Sequence, residues 1–222
     1  DSKASPKEGV AEFRRLVEVE KVPAIISTMT HIIVPQFPIS RETNTPMITV
    51  GAITPLIREA GPTVFSNYPL ADDEERIIAE YAVQKLGLKK AAVIYENSSW
   101  GKQLGEIFTR EFKKLGGEIV AEEISEKGGR DFRSQLTRIR AQNPPLLVAY
   151  AYYGELGLIV RQSAELGIKT QFMGMGSPQN QAFADIAGPA ANGFISGSPR
   201  WDDNAPHVKA FIERYKARYN KE

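Results

Sequence analysis

No cysteine occurs among the 222 residues, which excludes disulfides, thiolate metal sites and cysteine nucleophiles. The same absence suits an exported chain and a cytosolic one alike. Histidine is almost missing. His31 and His207 stand in separate segments, so neither has a histidine neighbour with which to build a local metal site or triad. No apolar run approaches the roughly 20 residues that cross a bilayer, so this segment is not expected to insert in a membrane. Charge of one sign is not in excess: 28 Lys and Arg stand against 27 Asp and Glu. That balance excludes the basic footprint of a nucleic-acid binder. The phosphate-loop, dinucleotide, metalloprotease and nucleophile-elbow signatures are also absent. Carboxylates are plentiful, but the runs "KEGVAEFRR", "DDEER" and "REFKK" mix them with bases and read as solvated helix faces. The expectation is therefore a protein without catalytic residues, metal or cofactor.

What is present is an alternation of strands and helices. Ser5, Pro6 and Glu8 form a helix start with a capping box, followed by Val10, Phe13, Leu16 and Val17 at helical spacing. Strands are expected at 22–28, 46–51, 90–95, 118–124, 146–151, 170–175 and 193–198. Helices are expected at 71–86, with Ile77, Ile78, Tyr81 and Leu86 inward, and at 99–115, with Leu104, Ile107, Phe108 and Phe112 inward. Further helices fall at 131–142, 154–166 and 205–219, and a short one begins in "SPQNQAFADIAG". The strands are continuous apolar runs, the pattern of parallel sheets buried on both faces. The fold class is α/β with doubly wound parallel sheets. Two stretches rich in turn formers, 65–73 and 196–206, read as linkers and bracket one block. The domain division expected is 71–198 as one lobe, with 1–70 and 199–222 as part of another.

In open parallel sheets ligands sit outside the carboxyl ends of the strands. The residues expected there are Thr28, Thr30, His31, Thr54, Trp100, Tyr152, Tyr153 and Ser177. Their hydroxyls and rings suit orientation of a small polar or anionic ligand. Each also has a plainer use. Thr30 and His31 could serve as helix-end residues, the two tyrosines as sheet-end packing, and Trp201 as a structural ring at the second linker. For Trp100, helical spacing alone fits both a cleft wall and the inner face that holds Leu104 and Ile107.

Three runs carry a resemblance over essentially the whole chain: "VPAIISTMT…TPMITVGAITPLI", "AAVIYENSSWGKQLGEIFTREFKKLGGEIVAEE" with "DFRSQLTRIRAQNPPLLVAY", and "LGLIVRQSAELGIKTQFMGMGSPQNQAFADIAGPAANGFISG". They are similar to the leucine/isoleucine/valine-binding proteins of bacterial ABC transporters, a type I periplasmic binding protein family. The resemblance implies two lobes joined by three crossovers that trap a ligand by hinge closure. It implies export to the periplasm or cell exterior behind a signal segment, and delivery to an ABC permease. The same fold also serves as the sensor domain of receptors. Family members are longer, which implies an opening strand–helix–strand before this chain and the rest of the first lobe after it.

By position, the resemblance places Thr30 where a serine bonds the ligand carboxylate. Ala52, Ile53 and Thr54 fall on a loop giving backbone and hydroxyl contacts. Trp100 falls where a tyrosine covers the ligand, and Tyr152 on a second aromatic contact. The ligand-binding set expected is thus Thr30, His31, Ala52, Thr54, Trp100 and Tyr152, facing a common cleft. One departure stands out. Where relatives place an acid for the ligand's ammonium, this chain has Gly176. A carboxylate ligand without an α-amino group, aromatic or branched, is the resulting expectation.

Overall fold

The computed structural model describes residues 3, 5–175, 177–198 and 202–220. Helix α1 (Pro6–Arg14) starts as expected: the Ser5 hydroxyl accepts from the Glu8 amide at 3.4 Å. A π-helical turn, Arg15–Val19, extends it. Strands β1 (Ile25–Thr28), β2 (Met47–Val50) and β3 (Val64–Ser66) form a parallel three-stranded sheet in that order. The short helices α2 (Thr30–Ile33) and α3 (Phe37–Glu42) lie between β1 and β2. Strand β3 overlaps the start of the stretch 65–73 read as a linker. Its three residues are too few to give a periodic signal, and pairing with Met47–Thr49 is what makes them a strand.

The second sheet has five parallel strands in the order β5-β4-β6-β7-β8. These are β4 (Lys90–Glu96), β5 (Glu118–Ser125), β6 (Leu146–Tyr150), β7 (Gln171–Met175) and β8 (Ile195–Gly197). The two sheets are separate, and no strand of one pairs with a strand of the other among the described residues. Helices α4 (Ala71–Glu80) and α5 (Ser99–Lys114) cover one face of the five-stranded sheet. Helices α6 (Arg133–Ala141), α7 (Tyr153–Glu165) and α8 (Gln181–Ala187) cover the other. Every residue of β6 is buried, the burial on both faces that its unbroken apolar run implied.

The three-stranded sheet departs from that pattern. Ile25, Met47 and Val64 enter a core with Phe13, Ile33 and Phe37. Ile26 (76% exposed), Ile48, Val50 and Phe65 form the opposite face, which is open among the described residues. Helix α9 (Pro206–Tyr219) buries Val208 alone, and Phe211 and Tyr215, at helical spacing from one another, stack at 6.0 Å while staying exposed.

On α5 the expected inner face is correct: Leu104, Ile107, Phe108 and Phe112 are all buried. On α4 it is rotated. Ile77 and Tyr81 are exposed, and the inward set is Ala71, Glu74, Glu75, Ile78 and Ala79, continued by Ala82. Small residues mark the buried stripe because α4 packs closely against α5 and the sheet.

A candidate ligand site at the switch point of the second sheet

Strand β4 lies between β5 and β6, so the chain leaves β4 toward one side and later returns on the other. In such sheets the helices on either side of this reversal diverge and leave a crevice at the carboxyl ends. Here that reversal falls between the ends of β4 and β6. After β4 the Ser98 hydroxyl accepts from the Gly101 amide at 3.1 Å and starts α5, which sets Trp100 in the first turn. After β6 Tyr152 is the residue at the cap of α7.

Trp100 and Tyr152 come together at this point. Their rings stack with centroids 5.2 Å apart and planes 16° from parallel. Trp100 also rests against the core beneath α5, the inner-face use that helical spacing allowed. A ring inserted between two others needs about 7 Å of separation, twice a van der Waals contact. The pair therefore offers its outer faces. No side chain caps α7, so the amides of its first turn lack a side-chain acceptor.

The first sheet contributes the loop after β2. Ala52 is buried in the first core, so only its backbone is free to meet a ligand. Ile53 crosses over: it is 6% exposed and packs in the second core with Ala71, Ile78 and Tyr150. Its carbonyl accepts from the Ala71 amide at 2.7 Å. Thr54 is fully buried, and its hydroxyl accepts from the Leu56 amide and from Gln103 Nε2, each at 3.4 Å. Gln103 lies one turn beyond Trp100, so Thr54 reaches the helix of the aromatic pair rather than open space. Arg58 forks onto Asp72 and Asp73 at the start of α4, at 3.3 and 2.6 Å.

Thr30 opens α2 and is half-buried, and His31 is exposed. The cap of α2 is Met29, not Thr30, and Met29 adopts φ 65°, a conformation side chains other than glycine rarely take. Tyr153 is exposed beside Tyr152. Of the six expected residues, then, Trp100 and Tyr152 touch, Thr54 bonds Gln103 on the helix that carries Trp100, and Ala52, Thr30 and His31 lie on the first-sheet side. Gly176 and Trp201 lie outside the described residues, as does the side chain of Ser177.

The "DDEER" run requires correction. Asp72 and Asp73 are surface residues paired with Arg58, but Glu75 is wholly buried and Glu74 is 8% exposed. The Tyr150 hydroxyl donates to Glu75 Oε2, while Glu75 Oε1 and Glu74 Oε2 have no partner. The four acids occupy about one turn of a helix whose inner face the alanines define, and charge pattern alone did not reveal that face. Burial pushes the Glu75 carboxyl well above the usual carboxylate range, against the opposing bond from Tyr150. Burial, and secondarily Asp73, raises Glu74 to about 7. Tyr150 is raised by burial and then by Glu75. Glu96, at the end of β4, is another buried carboxyl with both oxygens unpartnered. It shares the strand face of Ala92 and Ile94, which α6, α7 and α8 cover.

A raised carboxyl pKa has a definite sign. The unfolded chain ionises Glu74 near 4.5 and the folded one only near 7. Its contribution is intact below the lower value and is lost as pH rises through the upper one. Glu74→Gln is expected to gain stability relative to the parent between pH 5 and 8, on the order of 2 kcal/mol at the upper end. Urea unfolding at four pH values measures it, and a constant difference across the range would contradict the burial of Glu74.

Comparison with known proteins agrees with this geometry. The family model described as periplasmic binding protein matches residues 1–222. The chain is 27% identical over 219 residues to a Leu/Ile/Val-binding protein of Citrobacter freundii, covering 98% of this chain and 60% of that one. It is 28% identical over 226 residues to an amino acid binding protein of Pseudomonas aeruginosa, with 98% and 59% covered. A leucine-binding protein of Thermotoga maritima superposes with a TM-score of 0.83 at 26% identity, over 100% of this chain and 64% of the other. The chain thus spans about 60% of the length of the curated relatives it matches. Among the described residues no helix is long and apolar enough to cross a membrane. With two parallel sheets and a match along its entire length, the chain belongs to the type I periplasmic binding protein family that includes the Leu/Ile/Val-binding proteins.

Proposed function

We propose that this chain is part of the solute-binding component of an ABC importer, exported from the cytoplasm, which takes a small organic acid or amino-acid-like ligand between two lobes and presents it to a permease. The lobe boundary proposed is near residue 70, with 71–198 as the second lobe and 1–70 with 199–222 in the first. The observation that carries the reading is the Trp100–Tyr152 stack at the switch point, opposite the loop bearing Thr54. The outer face of the stack supplies an apolar or aromatic platform. The uncapped first turn of α7 supplies amides for a carboxylate, with Thr30 and the backbone near Ala52 on the facing lobe. The names of relatives at 26 to 28% identity support the amino-acid-like end of the range. Closure works by contacts that exist only when both lobes meet the ligand.

Mass spectrometry of small molecules released from the purified full-length protein identifies the ligand class directly. Trp100→Ala is expected to weaken binding of the ligand so found by about 10- to 100-fold by calorimetry, the loss of one aromatic platform. Unchanged affinity would remove the stack from the site. Nucleotide or metal as the only released species would overturn the function.

A further inference from the structure

We infer that the groove between the loop after β5 and the outer side of α7 is the surface by which the second lobe docks on the permease, and that it receives an external permease loop carrying a carboxylate beside an apolar side chain. This rests on the importer reading proposed above. The first support is an unused guanidinium. Among the described residues every other arginine holds a carboxylate, as Arg133 and Arg138 do, a carbonyl, as Arg140 does, or a ring, as Arg218 does. Arg130 is exposed, and its guanidinium holds none of these. That planar fork of donors matches a carboxylate. Arg161 brings a second guanidinium to the same groove, tied to the Ile186 carbonyl at 3.4 Å and to Glu165 at 3.7 Å. Glu155, the acid that lines the groove, is occupied by the Gly128 amide at 2.9 Å. Charge complementarity therefore asks for an anion.

The second support is construction. Helix α7 holds the loop at two places. One is the Glu155 bond to Gly128. The other is the buried Gln162, which accepts from the Phe132 amide and donates to the Arg130 carbonyl, each at 2.7 Å. Phe132 itself is 1% exposed, within the core on this side of the sheet. Arg130 thus stands on backbone fixed on both sides of it, and a partner has little loop left to order. Leu158 and Ile186 supply the apolar part of the lining.

The third support decides the occupant. The groove has a volume of about 390 Å³ and is open on its outer side. A small solute is mostly enclosed by its site, whereas a projecting loop needs cover on one side only. The groove begins at the carboxyl ends of β5 and β6, the same edge at which Tyr152 precedes α7. A partner that takes up the solute must stand over that edge, because parallel sheets hold ligands outside it. Glu155, Leu158 and Arg161 lie on the helix that Tyr152 opens, so a loop seated on Arg130 bears on the element that presents this ring to the solute.

The test uses the full-length protein, loaded with the solute recovered from it, and its permease complex with ATPase subunits in lipid nanodiscs. Surface plasmon resonance gives association rates, and ATP hydrolysis reads productive docking. Expected for Arg130→Glu is association slower by about tenfold at about 50 mM salt, with the difference from the parent closing by about 0.5 M. Solute affinity by calorimetry is expected to stay within about twofold of the parent, which also shows that the variant is folded. Unchanged association and ATPase stimulation in Arg130→Glu and in the double variant with Arg161→Glu overturn the inference and leave the importer reading standing. A loss that salt does not alter does the same. So does self-association of the parent that Arg130→Glu abolishes, which makes the occupant a second copy, or a second solute-binding event lost in Arg130→Glu, which makes it a small anion. A loaded parent that neither binds the permease nor stimulates its ATPase overturns both.

Discussion

Ile53→Asp is expected to destabilise the folded chain by more than about 4 kcal/mol, far beyond the roughly 1 kcal/mol of Ile53→Val. Ile53 leaves the end of the first sheet and enters the core of the second, where it is 6% exposed. Losing its branched side chain there removes apolar burial and opens a cavity. The added carboxylate then enters an apolar cluster with Ala71, Ile78 and Tyr150. An unpaired charge in such a place costs several kcal/mol or forces the loop out. If the loop leaves, the Ala71–Ile53 backbone bond and the Gln103–Thr54 contact go with it. Denaturant unfolding gives the loss of stability, and small-angle scattering reports any separation of the two sheets. A cost within 1 kcal/mol of Ile53→Val would mean that this side chain meets water in solution and that the seam described here does not hold.

Gly101→Val has the other large effect. A Cβ at residue 101 would lie 2.4 Å from the Glu96 carbonyl oxygen and 3.0 Å from the Glu96 nitrogen. Both atoms belong to the backbone at the end of β4, which the neighbouring strands hold on either side. The conflict is therefore relieved by moving the first turn of α5 rather than by rotating a side chain. On helix propensity alone, replacing glycine inside a helix would be neutral or mildly favourable. The close approach reverses that sign, and a loss on the order of 3 kcal/mol is expected. Trp100 is in the same turn, so the stack on Tyr152 should loosen as well. Tryptophan fluorescence in a Trp201→Phe background follows that ring alone. A variant as stable as its parent, with unchanged emission, would show that α5 does not approach β4 as closely as described.

The sequence determined the architecture. Unbroken apolar runs such as "PLLVAYA" and helices closed by Gly87, Gly116 and Gly167 specify parallel strands and their crossovers, because those signals are local. It also placed Trp100 and Tyr152 at strand ends, and the inner face of α5 followed from four large apolar residues at helical spacing. Only the tertiary structure decided what those ends face. Strand β3 exists through pairing with β2 rather than through any pattern of its own. The face of α4 is set by close packing, which selects Ala71, Ala79 and Ala82 and carries Glu75 inward while Ile77 stays outside. An alanine stripe was the available signal, and the larger side chains of Ile77 and Tyr81 obscured it. Ile53 buries its side chain in the other sheet, and no periodicity within a loop can encode a partner so distant along the chain. Local pattern fixes which elements form, since each depends on neighbours a few residues away. The burial of a particular carboxyl depends on which surfaces meet, and that is settled only when the sheets and helices pack.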